Sequence, residues 1–344
     1  MLAIKVIKDK FIKVHRLGLT RTTHRILDKV RGKFNILPHV PPTVYVELTD
    51  ICNLDCVMCD RHGMTRKSGL MEMDLYKKII DNAVEIGVPA VKLNRFGESL
   101  IHPQLIEMIR YAKDRGVQWV YFTSNATLLN RDKAEELITS GLDSITFSFD
   151  GATAETYEKI RVKAKYDEVV NNIVYFSNLK KKLGMDKPKI IINTILMRDT
   201  QDEIFQVFEK WEPYVEKINI LPVGKYGNVN DLAPIQRQTT PPNRIPCNQI
   251  FDRLLIFWDG TVTVCCADID GALSVGNIRE HRIEELWRNE KFSELRRKHL
   301  QQEVDAIPIC KVCDATDAEY NQEMKTLRQD IYKQARAIGY SRFF

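Results

Sequence analysis

Three cysteines lie within eight residues of one another in the segment TDICNLDCVMCD, where Cys52, Cys56 and Cys59 have the spacing C-x3-C-x2-C. So dense a group of thiols indicates metal ligation. A structural zinc site takes four ligands in a tetrahedron, whereas three thiolates suit a 4Fe–4S cluster that leaves one iron without a protein ligand. That open iron can accept a chelating small molecule. Two alternatives remain: zinc with His62 as fourth ligand, or unrelated buried thiols.

The other five cysteines lie in the last hundred residues and form a second candidate centre. Cys310 and Cys313 make a C-x2-C pair, while Cys247 and the adjacent Cys265 and Cys266 come from separate segments. Four thiols are enough to enclose a metal, and structural zinc is one candidate. We expect Cys265 to be the fourth ligand because it ends a predicted hairpin strand. Cys266 is then spare, and the commonest fate of a free cysteine is that of a small buried residue.

Composition narrows the class of protein. The chain has 344 residues, of which 44% are hydrophobic and 28% charged, so it is long enough for two domains and unlike a disordered chain. No apolar run approaches the 18 residues that indicate a transmembrane helix. The lysine-rich start lacks the pattern of a secretory signal. We therefore expect a cytoplasmic protein with reduced thiols, whose cysteines are metal ligands or reactive groups before they are disulfides.

The positive charge belongs to the first 40 residues. They hold ten lysines and arginines against two aspartates, so the rest of the chain has a net charge of −3 although the whole has +5. Apolar residues recur there at helical spacing, which predicts a basic amphipathic segment. It could contact an anionic membrane surface or an anionic partner, or be a solvated helix packed on the outside of the domain. We expect no nucleic-acid partner.

Strands and helices alternate through the middle of the chain. This alternation predicts a parallel sheet with right-handed crossovers. Six strands are too few for a full eight-stranded barrel, so we expect an open or partial barrel, with a doubly wound sheet as the alternative. Functional loops should follow the carboxyl ends of the strands in either case. The predicted strands are Thr43–Leu48, Val88–Leu93, Val117–Phe122, Asp143–Phe149, Lys189–Leu196 and Val215–Leu221.

The pattern changes after Leu221. A segment rich in Pro, Gly, Asn and Thr reads as a linker, and Asp259-Gly260 between two β-rich runs predicts a hairpin with a type I′ turn. Helices are expected at about Ile283–His299 and Ala318–Ala337. The predicted divisions are a basic N-terminal segment at 1–40, a core at 41–225, a linker at 226–246, a cysteine-rich domain at 247–316 and a helical tail at 317–344.

The motif CNLDCVMC after a β-strand, at the start of six β/α units, resembles the radical S-adenosylmethionine (SAM) superfamily. The resemblance covers about residues 40–225. It implies a partial (β/α)6 barrel related to the TIM barrel. It also implies that the open iron of a 4Fe–4S cluster binds the amino and carboxylate groups of SAM. Reductive cleavage of SAM then gives a 5′-deoxyadenosyl radical, which removes a hydrogen atom from a substrate.

Further motifs follow successive strands in the order that this family has them. Arg95-Phe96-Gly97-Glu98 resembles a Gly-Gly-Glu motif that binds the SAM amino group, and Glu98 can accept a charge-assisted hydrogen bond from it. Phe96 stands where the family has its first Gly. Met58 occupies a position where the family often has an aromatic residue against the adenine, and its thioether can also contact a ring.

The third and fourth strands contribute the remaining positions that the resemblance implies. Ser124-Asn125 resembles a Thr-Asn-Gly stretch near the ribose and methionyl end of SAM, with Ala126 in place of Gly. The run Ser148-Phe149-Asp150-Gly151 resembles a Ser-x-Asp-Gly motif, with Ser148 near the ribose and Asp150 beside it. Arg161 matches a basic position near the SAM carboxylate.

The C-terminal cysteines resemble the SPASM/twitch extension of such enzymes over about residues 246–316, with its β-hairpin and helices. A full SPASM domain has seven ligating cysteines, so five imply one auxiliary 4Fe–4S cluster, held by Cys247, Cys265, Cys310 and Cys313. Structural zinc is the alternative for this site. The auxiliary cluster would transfer electrons, set redox poise or hold the substrate pocket.

The resemblance implies a small polar substrate, such as a carbohydrate or aminocyclitol that is oxidised or epimerised. In epimerases of this kind a thiol returns hydrogen to a carbon radical, which is the role open to Cys266. A low-potential donor such as flavodoxin or ferredoxin would supply electrons. Two alternatives remain: a maturase of ribosomal peptides, although no winged-helix segment precedes the predicted barrel, and a non-catalytic electron carrier.

Overall fold

The computed structural model describes residues 37–223, 232 and 243–340. The predicted basic amphipathic segment and most of the predicted linker lie outside these residues. Within them, none of the helices combines the length and the apolar character needed to cross a membrane. The strands are β1 (Thr43–Val46), β2 (Ala90–Lys92), β3 (Trp119–Ser124), β4 (Ser144–Ser148), β5 (Lys189–Leu196), β6 (Lys217–Pro222), β7 (Arg253–Ile256), β8 (Thr261–Thr263) and β9 (Ser274–Asn277).

All nine strands belong to one sheet, in the order β6-β5-β4-β3-β2-β1-β7-β8-β9. The first six are parallel, and each pairs with its neighbours in the chain. A doubly wound sheet would reverse its strand order part of the way along. Because this order runs in one direction only, the sheet curls into the partial barrel that the sequence predicts, and the alternative is excluded.

Helices cover one face of this sheet, and the strands alternate accordingly. On β1, for example, Val44 and Val46 are fully buried while Tyr45 between them is only partly covered. The second face forms the interior of the partial barrel. The helices are α1 (Met73–Glu85), α2 (Leu105–Asp114), α3 (Arg131–Thr139), α4 (Ala154–Ile160), α5 (Tyr166–Lys182), α6 (Ile204–Trp211), α7 (Gln249–Asp252), α8 (Ile283–Arg288), α9 (Glu290–Leu300), α10 (Pro308–Lys311) and α11 (Ala318–Ala337).

The C-terminal strands extend the barrel sheet. Strand β7 pairs in parallel with β1 over its whole length, and β8 and β9 follow in antiparallel order. The predicted hairpin is present, but its predicted type I′ turn is wrong. A type I′ turn needs positive φ at both central residues, and Asp259 is not among the residues with positive φ. The Phe257 carbonyl accepts from Gly260, which is left-handed (φ +94°), as in a type I turn with a glycine bulge.

The predicted helix at 283–299 is two helices. Helix α8 ends at Arg288, and Asn289 adopts extended backbone while its side chain accepts a hydrogen bond from the Phe292 N–H. Asparagine is a strong N-cap residue because its side chain satisfies a free N–H of the first turn. It therefore starts α9 where the apolar spacing alone indicates one continuous helix. The predicted helix at Ala318–Ala337 is present as α11.

Candidate active site and cluster-binding loops

The loop that follows β1 carries the first three cysteines and is held against the end of α4. The Asp55 N–H donates to the Val162 carbonyl, and the Val57 N–H donates to the Ile160 carbonyl. Cys56 is buried, and Cys52 and Cys59 are partly buried. His62, the fourth ligand of the zinc alternative, has its Nε2 atom 3.1 Å from the Cys56 carbonyl oxygen. Its ring is therefore engaged with the backbone of the same loop.

Hydrogen-bond donors point at two of these sulfur atoms. The Leu54 N–H lies 3.5 Å from the Cys52 sulfur, and an Arg161 Nη lies 3.6 Å from the Cys56 sulfur. Such donors stabilise thiolate ligands and tune iron–sulfur centres. Among the described residues, no three His, Cys, Asp or Glu side chains converge on a single metal ion. Three cysteine thiols, two of which receive such hydrogen bonds, are a donor set that suits an iron–sulfur cluster.

The loop after β2 packs directly on the backbone that precedes Cys52. Gly97 has φ +71°, and a Cβ atom added there would lie 2.4 Å from the Thr49 oxygen and 2.8 Å from the Ile51 oxygen. Next to it, the Glu98 N–H donates to that same Ile51 oxygen at 2.9 Å. Only glycine permits this contact. Gly97 therefore joins the second strand end to the cluster-binding loop.

The carboxylate of Glu98 links the ends of β2 and β3. It is 2% exposed, and it accepts hydrogen bonds from the Ser124 hydroxyl at 2.8 Å and from the Asn125 N–H at 2.7 Å. A third bond comes from the Leu100 N–H. Burial raises the pKa of Glu98, and these hydrogen bonds oppose that rise. The predicted contact of Glu98 with the SAM ammonium stays a prediction, while the structure shows that its side chain positions the loop after β3.

Asn125 connects this loop to the first cysteine. Its Nδ2 atom lies 3.1 Å from the Asn53 Oδ1 and 3.8 Å from the Cys52 sulfur. Its Oδ1 accepts from Thr127. Ala126, which replaces the family's glycine, adopts a left-handed conformation with φ +61°. The chain thus keeps the backbone shape that glycine would give, with an alanine that is strained in it.

Two further predicted residues meet behind the same loop. Asp150 is fully buried, and one of its carboxylate oxygens accepts from the Arg161 Nε at 2.7 Å while the other accepts from the Ile195 N–H. The Asp150 charge, followed by that of Cys56, raises the pKa of Arg161 in spite of its burial. Ser148 ends β4 and is partly buried. Arg161 is therefore held between Asp150 and the Cys56 sulfur, at the mouth of the barrel.

Met58 lies in an apolar wall beside this site. It packs against Ile160, Met197 and Val223, together with Ile195 and Leu232. The residue predicted to contact adenine is therefore surrounded by side chains that favour a flat, apolar ring. That contact remains a prediction.

The second group of cysteines lines one cavity. Cys247, Cys265, Cys310 and Cys313 are all in its wall, whereas Cys266 is not. The segments that bring them together are the turn before α7, the loop after β8, and α10 with the residues that follow it. Burial raises the pKa of Cys247 to about 11 and that of Cys310 to about 12. A bound metal would have to displace those thiol protons.

A histidine that the sequence did not single out lies in the same wall. His299 on α9 is 1% exposed, and its Nδ1 accepts from the Cys247 N–H at 3.2 Å. A backbone N–H can only donate, so Nδ1 carries no proton and the neutral ring carries its proton on Nε2. Nε2 lies 3.5 Å from the Cys310 sulfur. His299 therefore donates toward a candidate ligand, and burial lowers its pKa to about 4.

Arg95 joins the two cysteine sites, a role that no pattern in the sequence indicated. One of its Nη atoms donates to the carbonyl oxygens of Cys265, Cys266 and Asp268, at 3.2, 3.1 and 2.6 Å. Its guanidinium also lies 4.8 Å from the centre of the Phe257 ring. Arg95 belongs to the loop after β2 that carries Glu98. This loop therefore packs on the first cluster-binding loop and also holds the backbone beside the second cysteine site.

Cys266 adjoins the second site, and its carbonyl oxygen accepts a hydrogen bond from Arg95 of the loop after β2. Its charge, when ionised, acts on Asp60, which follows Cys59, and on Lys92, Tyr45 and Arg253. Burial raises the pKa of Asp60 to about 7, and Cys266 adds to that rise. The Cys266 thiol is therefore within electrostatic range of Asp60 in the first cluster-binding loop and of Lys92 on β2.

A partial barrel with three clustered cysteines after its first strand is the arrangement typical of the radical SAM class. The family model of the radical SAM superfamily matches residues 46–210, and the model of the SPASM iron–sulfur cluster-binding domain matches residues 247–314. Together they match about two thirds of the chain. The chain belongs to the radical SAM enzymes that carry a SPASM domain. Its cofactors are SAM, a 4Fe–4S cluster and an auxiliary cluster in the SPASM domain.

Two curated relatives show how far the sequence likeness extends. The tungsten-containing aldehyde ferredoxin oxidoreductase cofactor-modifying protein of Pyrococcus furiosus is 25% identical, over 80% of this chain and 88% of its own. The AdoMet-dependent heme synthase of Methanosarcina barkeri is 33% identical, over 50% of this chain and 48% of its own. The chain thus spans about half the length of the second relative.

Solved structures share the fold at low identity. BtrN in complex with AdoMet and 2-DOIA has a TM-score of 0.55 and 16% identity, and the match covers 80% of this chain and 93% of that one. Streptococcus suis SuiB bound to precursor peptide SuiA has a TM-score of 0.62 and 13% identity, over 80% and 71% of the two chains. The predicted family, fold class and cofactors are confirmed.

Proposed function

We propose that this enzyme binds SAM at an open iron held by Cys52, Cys56 and Cys59, and that it removes a hydrogen atom from a small polar substrate in the barrel. When bound, the cluster and SAM supply a 5′-deoxyadenosyl radical through one-electron reductive cleavage. The observation that carries the proposal is the link through Glu98. That carboxylate joins the loops after β2 and β3, and Asn125 continues the link to the Cys52 sulfur.

Each strand-end residue then has a distinct task. Gly97 and Glu98 place the loop whose polar groups would receive the SAM ammonium. Ser124, Asn125 and Ser148 would face the sugar and methionyl parts, and Met58 the adenine. Arg161 would compensate the SAM carboxylate from its position between Asp150 and Cys56. Asp150, which has no exposure, orients the guanidinium.

The auxiliary cluster is proposed to be held by Cys247, Cys265, Cys310 and Cys313. These four thiols line a single cavity, and Cys265 also receives a hydrogen bond from the Ala267 N–H at 3.3 Å. The adjacent Cys266 does not line that cavity, which supports the choice of Cys265. A cluster with four thiolate ligands has no iron open to substrate, so its role would be electron transfer.

The substrate is proposed to be polar, of the carbohydrate or aminocyclitol type. The interior face of the sheet supports this, since it carries hydroxyl and amide side chains such as Tyr45, Thr123, Asn193 and Asn219, while the buried apolar residues between them on each strand face the helices. BtrN, which shares the fold, was solved with 2-DOIA. SuiB was solved with a precursor peptide, which keeps peptide maturation as the second candidate. A flavodoxin or ferredoxin would deliver the electron for SAM cleavage.

Iron content and SAM cleavage test the assignment of the two sites. The anaerobically prepared enzyme should hold about eight irons in two 4Fe–4S clusters. Replacing Cys52, Cys56 and Cys59 together by Ala should leave about four irons and abolish 5′-deoxyadenosine formation with SAM and a strong reductant. Cys266→Ala is the matched control, and it should keep all the iron. Loss of all iron from the triple variant, zinc in the second site, or no 5′-deoxyadenosine from the intact enzyme would contradict the proposal.

Two outcomes are open to the substrate radical, and Cys266 separates them. In epimerisation, the Cys266 S–H gives its hydrogen atom to the carbon, and the sulfur radical regains one electron and one proton from reductant and solvent. In dehydrogenation, the carbon radical would lose one electron and one proton, and the cluster held by Cys247, Cys265, Cys310 and Cys313 would supply the electron acceptor. Turnover in D₂O should place deuterium on carbon only in the first case, where Cys266→Ala stops turnover. A ketone or aldehyde product from a fully active Cys266→Ala would reject the donor role.

A further inference from the structure

Three polar side chains stand side by side on the interior face of the barrel. The strand register places Tyr45 of β1 opposite Lys92 of β2, and Lys92 opposite Tyr121 of β3. The hydroxyls of Tyr45 and Tyr121 are hydrogen-bonded to each other. On the other side of β1, Arg253 of β7 donates from Nη1 to the Tyr45 hydroxyl at 3.0 Å. We call these four residues the interior layer.

Two cations of this layer flank a single aromatic ring. The Lys92 Nζ lies 4.9 Å from the centre of the Tyr45 ring, and the Arg253 guanidinium carbon lies 5.0 Å from it. Like charges this close repel, and burial in the protein interior increases that repulsion. A pair of cations in such a place is therefore costly unless something negative lies between or beside them.

The described residues provide only part of that negative charge. Asp252 holds Arg253 through two hydrogen bonds, at 2.6 and 3.0 Å. Lys92 makes no ion pair with a carboxylate in the part of the chain that the structure describes. Lys92, Arg253 and Asp252 together thus carry one net positive charge, and the Asp252 carboxylate that balances Arg253 lies on the solvent side, with 44% of its side chain exposed. Burial, followed by the charge of Arg253, lowers the pKa of Lys92 to about 8, as expected of a cation short of a counter-ion.

The Cys266 thiol is within electrostatic range of this layer. Cys266 is close enough to Lys92, Tyr45 and Arg253 to act on the charge of each of them. A substrate that reaches Cys266 from the barrel interior would therefore present one of its groups to the layer. The partners available there are one ammonium, one guanidinium edge and the Tyr45 hydroxyl, because the Tyr121 hydroxyl donates to Tyr45; these are the donors that an oxyanion needs.

We propose that Lys92 and Arg253, with the Tyr45 hydroxyl, bind an oxyanionic group of the substrate, either a carboxylate or a phosphate, in the barrel interior. The substrate would then be an acidic small molecule rather than a neutral one. The inference rests on the proposed function only in taking the bound molecule to be the substrate. The anion site itself requires neither SAM nor a reduced cluster.

An anionic aldehyde tests the site directly. Pyridoxal 5′-phosphate condenses with a neutral lysine amine with loss of water, and cyanoborohydride reduces the imine to a stable amine that peptide mapping locates. On the anaerobic holoenzyme, Lys92 should be modified about ten-fold or more faster by pyridoxal 5′-phosphate than by 5-deoxypyridoxal, the same aldehyde without the phosphate. The exposed Lys291 is the internal control and should react alike with both.

Competing anions identify the chemistry of the group. Inorganic phosphate should protect Lys92 if the site takes a phosphate, succinate if it takes a carboxylate, and neutral glucose should not protect it. Arg253→Gln should reduce the advantage of the phosphorylated aldehyde at Lys92 without changing the rate at Lys291. If that variant does not fold, the aldehyde pair on the unmodified chain decides the question.

Three results would overturn the inference: equal rates for the two aldehydes at Lys92, no protection by either anion, or no label on Lys92. Because labelling uses neither SAM nor reductant, it is independent of the 5′-deoxyadenosine assay. A protein that fails that assay but shows phosphate-dependent labelling would lose the proposed function and keep the anion site.

Discussion

Replacing Gly97 by alanine should separate the loop after β2 from the first cluster-binding loop. The added Cβ would lie 2.4 Å from the Thr49 oxygen, 2.8 Å from the Ile51 oxygen and 2.9 Å from the Asp50 carbonyl carbon. All three atoms are backbone, so no side chain can rotate away to relieve the contact. The loop must therefore retreat, and with it the Glu98 N–H that now donates to Ile51.

A second glycine isolates the cost of this clash. Gly87 has φ +81°, close to the +71° of Gly97, but a Cβ built there meets nothing within 4 Å. Both alanine variants suffer the left-handed strain of about 1–2 kcal/mol. Only Gly97→Ala adds the backbone clash, which we expect to raise its cost to about 3 kcal/mol or more, the range of severe packing faults.

Iron content, SAM affinity and thermal midpoint should be measured for both variants, prepared anaerobically in parallel. Gly87→Ala should keep both clusters and bind SAM normally, with a modest drop in midpoint. Gly97→Ala should lose iron from the first site or bind SAM at least ten-fold more weakly, while the auxiliary cluster stays. If the two variants behave alike, the packing of Gly97 on residues 49–51 does not shape the site, and the argument fails.

Three other substitutions test single contacts of the sites. Glu98→Ala removes a carboxylate that receives three hydrogen bonds, so SAM affinity should fall about ten-fold or more while iron is retained; unchanged affinity in equilibrium dialysis would reject its role. His299→Leu removes a donor to the Cys310 sulfur. It should therefore lower the reduction potential of the auxiliary cluster in an EPR-monitored titration, since such donors stabilise the reduced state; an unchanged potential at full iron content would refute this. Ala126→Gly relieves left-handed strain and should stabilise the protein by about 1 kcal/mol or less, after the greater freedom of glycine in the unfolded chain is subtracted; a lower thermal midpoint would contradict it.

The strand-end residues could be predicted because their evidence is local. Apolar alternation marks the strands, and parallel strands bring their carboxyl ends to one edge of the sheet. Glu98, Ser124 and Asn125 therefore meet, although 26 residues separate the first two. Their particular hydrogen bonds could not be predicted from the sequence. A buried glutamate can accept hydrogen bonds from its own protein or from a ligand, and the residue type is the same in both cases. The predicted ammonium contact of Glu98 was the second of these interpretations.

Contacts between the N-terminal and C-terminal halves carried no sequence signal. Arg95 binds the carbonyl oxygens at Cys265, Cys266 and Asp268, some 170 residues away, and every residue has a carbonyl oxygen. The pairing of β7 with β1 is equally non-local. A short β-rich run contains no pattern that identifies the sheet edge with which it will pair. His299 lay in a predicted helix among other basic residues, where it resembled a solvated side chain.

The position of Cys266 follows from these non-local contacts. Arg95 is almost fully buried and also lies 3.8 Å from Glu47, which Arg66 binds through both carboxylate oxygens. Arg66 in turn donates to the Ile269 carbonyl at 2.8 Å. Buried cations of this kind are costly to displace once their partners are in place. The backbone at 265–269 therefore cannot shift without breaking bonds to the loops that follow β2 and the first cysteines. A hydrogen-atom donor needs such a fixed distance from the site where the substrate radical forms, and a freely hinged auxiliary domain could not provide it.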